Sequence, residues 1–250
     1  MTNYIHYLKS DLYKLRHSCF FLLHLIFPVC GAAMLLLYAG ISKSNEISKL
    51  AAYFQMIAVA FPFVIGVICH VVSEQEAKAG HFQNLLTLPD RRKTILSKLA
   101  ILLLSGLFST VLSSILFGFL FPAIGGAITI PIGFYTVVPL VLWGSNILLY
   151  CLHLMLAFRF GKNVGIGFGV FGSLLVALLQ TGLGTGIWFV LPYGWGVRFS
   201  ALALESILGI LSPERAGINL GIISCSLSTC VIIGIIIVWF SRYDGKHATD

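Results

Sequence analysis

Six polar side chains fall inside long apolar runs and are the first places to look for chemistry: His24, Gln55, His70, Asn146, His153 and Gln180. The three histidines lie on three separate runs and lack the spacing of a metal-ligand set, so no metal is expected. Their types suit hydrogen bonds between helices. The H-E-x-x-H and G-x-S-x-G patterns are absent. Lys93-Thr94 follows Asp90-Arg91-Arg92 without the glycine frame whose backbone N–H groups cradle phosphates, so the chain is not expected to bind ATP itself. Nor does any Asp, Glu, Lys or Arg lie deep in an apolar run. An intramembrane charge is costly and is kept for a pathway, so this argues against an ion-coupled transporter or proton pump. No catalytic residue is assigned, and the chain is not expected to be an enzyme.

The densest group of charges stands between apolar runs, in Ser73 to Lys98, which holds three of the nine carboxylates and five of the sixteen Lys and Arg residues. Ser73 and Glu76 have the spacing of a capping box, which predicts a short helix starting here. Glu74 and Lys78 are one turn apart as a favourable pair, and Ala77, Phe82, Leu85 and Leu86 form an apolar strip. Pro89 limits this helix, and Arg91, Arg92, Lys93 and Lys98 follow as the chain turns apolar again. The segment reads as a surface helix between two membrane spans, a candidate docking element.

The elements around it follow from composition. The chain is 58% hydrophobic and 10% charged, against roughly 25% charged in soluble domains. It is read as an all-α integral membrane protein, a single domain over 1–250. The net charge of +7 is scattered at the ends of apolar runs instead of clustering on one face, so no nucleic acid is expected as a partner. Six runs can each cross a bilayer core, which needs about 20 apolar residues: Cys19 to Ile41, Leu50 to Val72, Ile95 to Phe121, Ile132 to Phe158, Val164 to Leu191 and Ala216 to Phe240. The first exceeds the apolar core of a cleavable signal and is read as a retained span. Before it, Ile5, Leu8, Leu12 and Leu15 repeat at spacings of three and four, predicting an interfacial amphipathic helix that anchors the terminus or docks a partner. Cys19, Cys30, Cys69, Cys151, Cys225 and Cys230 form no C-x-x-C pair and read as packing residues.

Of the sixteen basic residues, twelve fall on one side of this topology; only Lys43, Lys49, Arg198 and Arg215 fall on the other. Both termini and the Ser73 to Lys98 loop are therefore expected in the cytoplasm. Arg159 to Asn163 predicts a tight cytoplasmic turn. Trp188 and Trp195 are expected at the outer interface and Trp239 at the inner one. The glycines of the fifth span, Gly165, Gly167, Gly169 and Gly172 with Gly182, Gly184 and Gly186, read as close helix packing. A break at Gly182 to Gly186 is the alternative. Only Pro192 to Arg215 offers an external structure of any size, with an interfacial or partly re-entrant helix over Ser200 to Gly209.

The run Glu76-Ala77-Lys78-Ala79-Gly80-His81-Phe82-Gln83-Asn84-Leu85-Leu86, followed by Pro89, Arg91-Arg92-Lys93 and Ser97-Lys98, resembles the first cytoplasmic loop of type-2 ABC exporter permeases. More narrowly it is similar to the lantibiotic-immunity permeases of Gram-positive bacteria, as are the six-span plan and the Pro192-Tyr193-Gly194-Trp195 segment with Arg198. The resemblance implies a permease subunit in the bacterial plasma membrane. Its partners would be two ATPase subunits holding ATP and Mg, a second and non-identical permease, membrane lipid and a peptide substrate. It also implies that Glu74, Glu76, Gly80, His81, Phe82, Leu85, Leu86 and Pro89 couple to the ATPase, and that Tyr193, Trp195 and Arg198 stand on the side where a cationic amphipathic peptide arrives. The rival expectations are export of another amphiphile, such as a bacitracin-like peptide or a lipid, and a non-transporting membrane scaffold or sensor.

Overall fold

The computed structural model describes residues 4–80, 82–124, 126, 128–210 and 217–245. The protein is 84% helical, with no strand among the described residues. Helix α1 (Tyr4–Arg16) precedes α2 (Phe20–Ile41) and α3 (Glu46–Lys78). The four-residue α4 (Gln83–Leu86) leads into α5 (Arg91–Leu120), and the short α6 (Ile132–Tyr135) and α7 (Val137–Ser145) run into α8 (Ile147–Gln180). α9 (Pro192–Ile207) and α10 (Ile218–Ser241) complete the order. Polar caps set the starts. Asn45 accepts the Ser48 N–H at 2.7 Å to begin α3, and Asp90 accepts the Arg92 and Lys93 N–H groups to begin α5. A hydrogen bond from the Lys93 side chain, with those of the backbone, holds the Asp90 carboxyl below its usual range.

Five helices, α2, α3, α5, α8 and α10, are long and apolar enough to cross a membrane, where six such segments were expected. The difference lies at Gly161. This residue has φ 74° and ψ −160° inside α8, a conformation open to glycine and closed to side chains with a Cβ. A Cβ on Gly165 would lie 3.6 Å from the Cα of Ala157, whereas eight residues of straight helix separate their ends by about 12 Å. The chain thus reverses at Gly161, and α8 is two antiparallel arms, the turn falling within the expected Arg159 to Asn163. The fourth expected span, Ile132 to Phe158, is itself jointed at Thr136 and Asn146 into α6, α7 and the first arm. The fifth ends at Gln180, not Leu191: a 3-10 turn over Gly182–Gly184 follows, and Pro192 opens α9.

The second arm of α8 packs tightly on α3. A Cβ on Gly66 would come within 2.9 Å of the Gly165 carbonyl oxygen, and one on Gly169 within 3.0 Å of the Pro62 carbonyl oxygen. Gly172 is pressed against Pro62 and the Tyr193 ring. Small residues allow this backbone approach where lipid offers no hydrophobic drive between helices. Gly167, on the other side of the arm, faces open space, so the packing reading of this glycine set applies to three of its members. At one end of the bundle Tyr53 stacks on Phe117 at 4.0 Å and donates its hydroxyl to Ser113 at 2.8 Å, with Phe134 of α6 completing the cluster.

α1 turns Tyr7, Asp11 and Leu15 inward, a face that shares Leu15 with the predicted apolar strip and is otherwise shifted toward Tyr7 and Asp11. Ile5 and Leu12 of that strip stay exposed. Trp188 and Trp195 are buried in the bundle instead of facing the interface, because α9 packs among α3, α7 and α8.

Gly169→Leu forces side-chain atoms into the α3 backbone and is expected to destabilise the protein by about 1–3 kcal/mol. Gly167→Leu, pointing into open space, is expected to be neutral or stabilising. Thermal unfolding in mild detergent checks the pair.

Candidate functional site

Four charges meet at the end of the bundle opposite the Tyr53 cluster. Lys98 Nζ of α5 donates to Asp11 Oδ1 of α1 at 2.8 Å and to Glu76 Oε1 of α3 at 2.5 Å. Asp11 Oδ2 accepts from Ser97 Oγ at 2.7 Å, and Lys14 Nζ reaches both Glu76 oxygens at 3.1 and 3.2 Å. The Glu76 and Lys98 side chains are 1% and 3% exposed. Two cations and two anions make the set neutral, and the acceptors are satisfied from three helices. This is the condition under which buried charge is tolerated, since an unpaired ion away from water costs several kcal/mol.

The turn between α3 and α5 sits directly beyond this network. α3 ends with the Phe82 N–H bonded back to the Glu76 carbonyl at 3.3 Å, which occupies one of the carbonyls left open at the helix end. Gly80 takes φ 126° and Phe82 takes φ 64°, an uncommon conformation for a bulky residue. What holds Phe82 there is aromatic packing: its ring meets Phe158 and Tyr243, each at 5.8 Å between centroids. Leu85 of α4 is fully buried beside it. Tyr243, just past α10, donates its hydroxyl to the Phe158 carbonyl at 2.9 Å and accepts Arg91 Nη1 at its own carbonyl at 3.0 Å. The α3–α5 turn, the Gly161 reversal and the end of α10 are thereby clasped together.

These positions correct several expectations. No helix begins at Ser73: α3 runs unbroken to Lys78, and Ser73 Oγ donates to the Ala157 carbonyl at 3.0 Å. The capping box fails because both of its members are drawn into tertiary bonds. Glu76 is buried between Lys14 and Lys98 and has no face toward another protein. Phe82 and Leu85 point into this chain's own core instead of forming an outward apolar anchor, and Leu86 is half-buried. Glu74 does pair with Lys78, at 2.9 Å, and also contacts His70 at 3.2 Å. Gly80 and Pro89 are exposed; His81 lies outside the described residues.

The outer-side candidates are also drawn inward. Trp195 is 0% exposed and donates Nε1–H to the Phe189 carbonyl at 3.0 Å. Arg198 is buried, its Nε and Nη2 donating to the Leu179 and Thr181 carbonyls at 3.0 and 2.8 Å. A guanidinium here satisfies carbonyls left open at the end of α8 and complements its negative pole. Tyr193 is half-buried against Gly172.

Asp11, Lys14, Arg91 and Tyr243 were missed as members of this site. Asp11 carried a signal: it is the only carboxylate before the first apolar run. Tyr243, in a short polar stretch after the last run, carried none. Among the described residues no group of three or more His, Cys, Asp or Glu is placed to hold a metal ion.

Glu76→Ala and Lys98→Ala are each expected to destabilise the protein by about 3–5 kcal/mol, because each leaves the buried set with one uncompensated charge. The double substitution is expected to cost clearly less than the sum. Unfolding curves of the three variants test this, and additive losses would separate the two residues energetically.

No curated protein and no solved structure matches the chain. The model for "ABC-2 family transporter protein" matches residues 7–175. That region holds both sides of the charge network, the α3–α5 turn, the Gly161 reversal and most of the α8 packing arm, and on it the chain belongs to the ABC-2 transporter family, as a membrane permease subunit of an ABC transporter.

Proposed function

We propose that the chain is a permease of an exporter that moves a lantibiotic or similar cationic, amphipathic antimicrobial peptide out of the membrane, protecting the cell that carries it. The single observation behind the coupling step is the clasped turn between α3 and α5. Its outer surface is polar and exposed, at Lys78, Gln83, Asn84, Thr87 and Arg92. Its inner surface is bolted to α1, α8 and α10 through Glu76, Phe82, Leu85 and Tyr243. A push on the outer surface is then transmitted to several helices at once.

In this reading the exposed face meets one of two ATPase subunits that hold ATP and Mg, and Phe82 and Leu85 serve as the fixed end of the lever. Each arm of α8 crosses the membrane, the first continued by α7, which gives six crossings with a second, non-identical permease alongside. In the same reading the clasped end and both termini face the cytoplasm of a bacterial plasma membrane, an orientation that the basic residues gathered at that end support. The peptide reading rests on the likeness of residues 76–98 to lantibiotic-immunity permeases. A groove of about 670 Å³ between α7, α9 and α10, walled by Phe199, Leu202, Ala203 and Ile222, lies toward the opposite end and suits the apolar face of such a peptide.

Gln83→Trp is expected to abolish stimulation of the partner ATPase with the unfolding midpoint unchanged. Leu85→Ala is expected to lower stability by about 2–5 kcal/mol. Normal stimulation and protection in both Gln83→Trp and Pro89→Trp would overturn the coupling assignment. Ala203→Trp is expected to remove protection against a narrow set of peptides while leaving the complex assembled. Equal protection against unrelated peptides, or transfer of lipid with no peptide preference, would overturn the peptide assignment.

A further inference from the structure

A second groove, of about 730 Å³, opens at the clasped end between the Gly161 reversal and α10. Its wall is one face of α10, Val231, Gly234, Ile235 and Val238, all open to the surroundings. Its polar end holds Arg159 and Arg242, both exposed and neither in an ion pair among the described residues, with Trp239 between wall and rim. Asp244 also lines the rim, so the two guanidiniums leave it net positive.

We propose that this groove binds one anionic phospholipid. Its phosphate sits between Arg159 and Arg242, and an acyl chain lies along Val231 to Val238. The occupant follows from the sequence of chemistries along α10. α10 itself carries no basic residue, Arg242 stands at the cap just past its end, and the face leading to it is apolar for about two turns. An anion without a hydrocarbon tail would leave that face uncovered, and a neutral amphiphile would leave the arginines without a partner. Guanidinium is the side chain best matched to phosphate oxygens, in paired hydrogen bonds. The Trp239 ring, amphipathic and half-buried, stands where the hydrocarbon gives way to headgroups. Ten of the sixteen basic residues, counted over α1, the α3–α5 segment from Lys78 to Lys93, Arg159, Lys162 and Arg242, stand at this same end, and such an end faces the anionic leaflet. The site needs no substrate, ATPase or transport cycle.

The test uses the full chain, delipidated in mild detergent and titrated with brominated phosphatidylglycerol or brominated phosphatidylcholine, while tryptophan fluorescence is followed. Trp239→Phe identifies the part of the quenching that arises in the groove. Phosphatidylglycerol is expected to quench Trp239 at a concentration about tenfold lower than phosphatidylcholine, corresponding to the net gain from a charged hydrogen-bonded pair. Arg159→Gln with Arg242→Gln is expected to erase that preference and to leave quenching by phosphatidylcholine intact, which also reports that the double variant is folded. Equal quenching by both headgroups in the native chain would overturn the proposal. So would a preference that survives the double substitution, or a groove closed to both lipids because a second copy of the chain covers it.

Discussion

Everything at the basic end of this permease depends on neutralising Lys98. Its ammonium emerges from α5 at a depth where only 3% of the side chain is exposed, and among the described residues Asp11 and Glu76 are the anions it bonds. Meeting that requirement positions three helices. α1 must lie where Asp11 reaches inward, which is why its buried face is offset from its apolar strip. α3 must continue past the hydrocarbon to Lys78 so that Glu76 can arrive. The turn that follows is then confined to a dozen residues between two fixed helix ends, which is how Gly80 and Phe82 come to share the left-handed conformation.

The rest of the bundle is held by other means. α3 and the second arm of α8 meet backbone to backbone through glycine, and a stack of aromatic rings closes the far end. α10 is different in kind. Most of its surface is open along the spanning stretch, and it is held at its end by Trp239, Phe240 and Tyr243 and at its start by Gly221, buried against Trp188 and Phe199. The chain thus combines a close-packed pair, α3 and α8, with a helix held chiefly at its two ends.

Much of this plan was legible in the residues. Long apolar runs gave the helices, because backbone groups in lipid must be satisfied within the segment, and basic residues marked one end. The glycine-bearing turn at 159–163 was visible as a short polar gap. Three things were not. Ser73 and Glu76 satisfy a local capping pattern, and nothing local reveals that Ala157 and Lys98 compete for the same side chains. Trp195 and Arg198 have the composition of a membrane belt, but α9 buries them by packing among helices distant in sequence. Phe82 and Leu85 read as an outward strip until Phe158 and Tyr243, far along the chain, supply the rings against which Phe82 packs. Each failure has one cause: a pattern read over a few residues was overridden by a partner far along the chain.

The clasp at Tyr243 also sets an order of biogenesis. Phe82, Arg91 and Phe158 leave the ribosome well before the residue that joins them, so the basic end stays unlatched until α10 has entered the membrane. Until then Phe82 has the Phe158 ring beside it but not that of Tyr243. Closure of the clasp is therefore a physical sign that the last helix has been delivered.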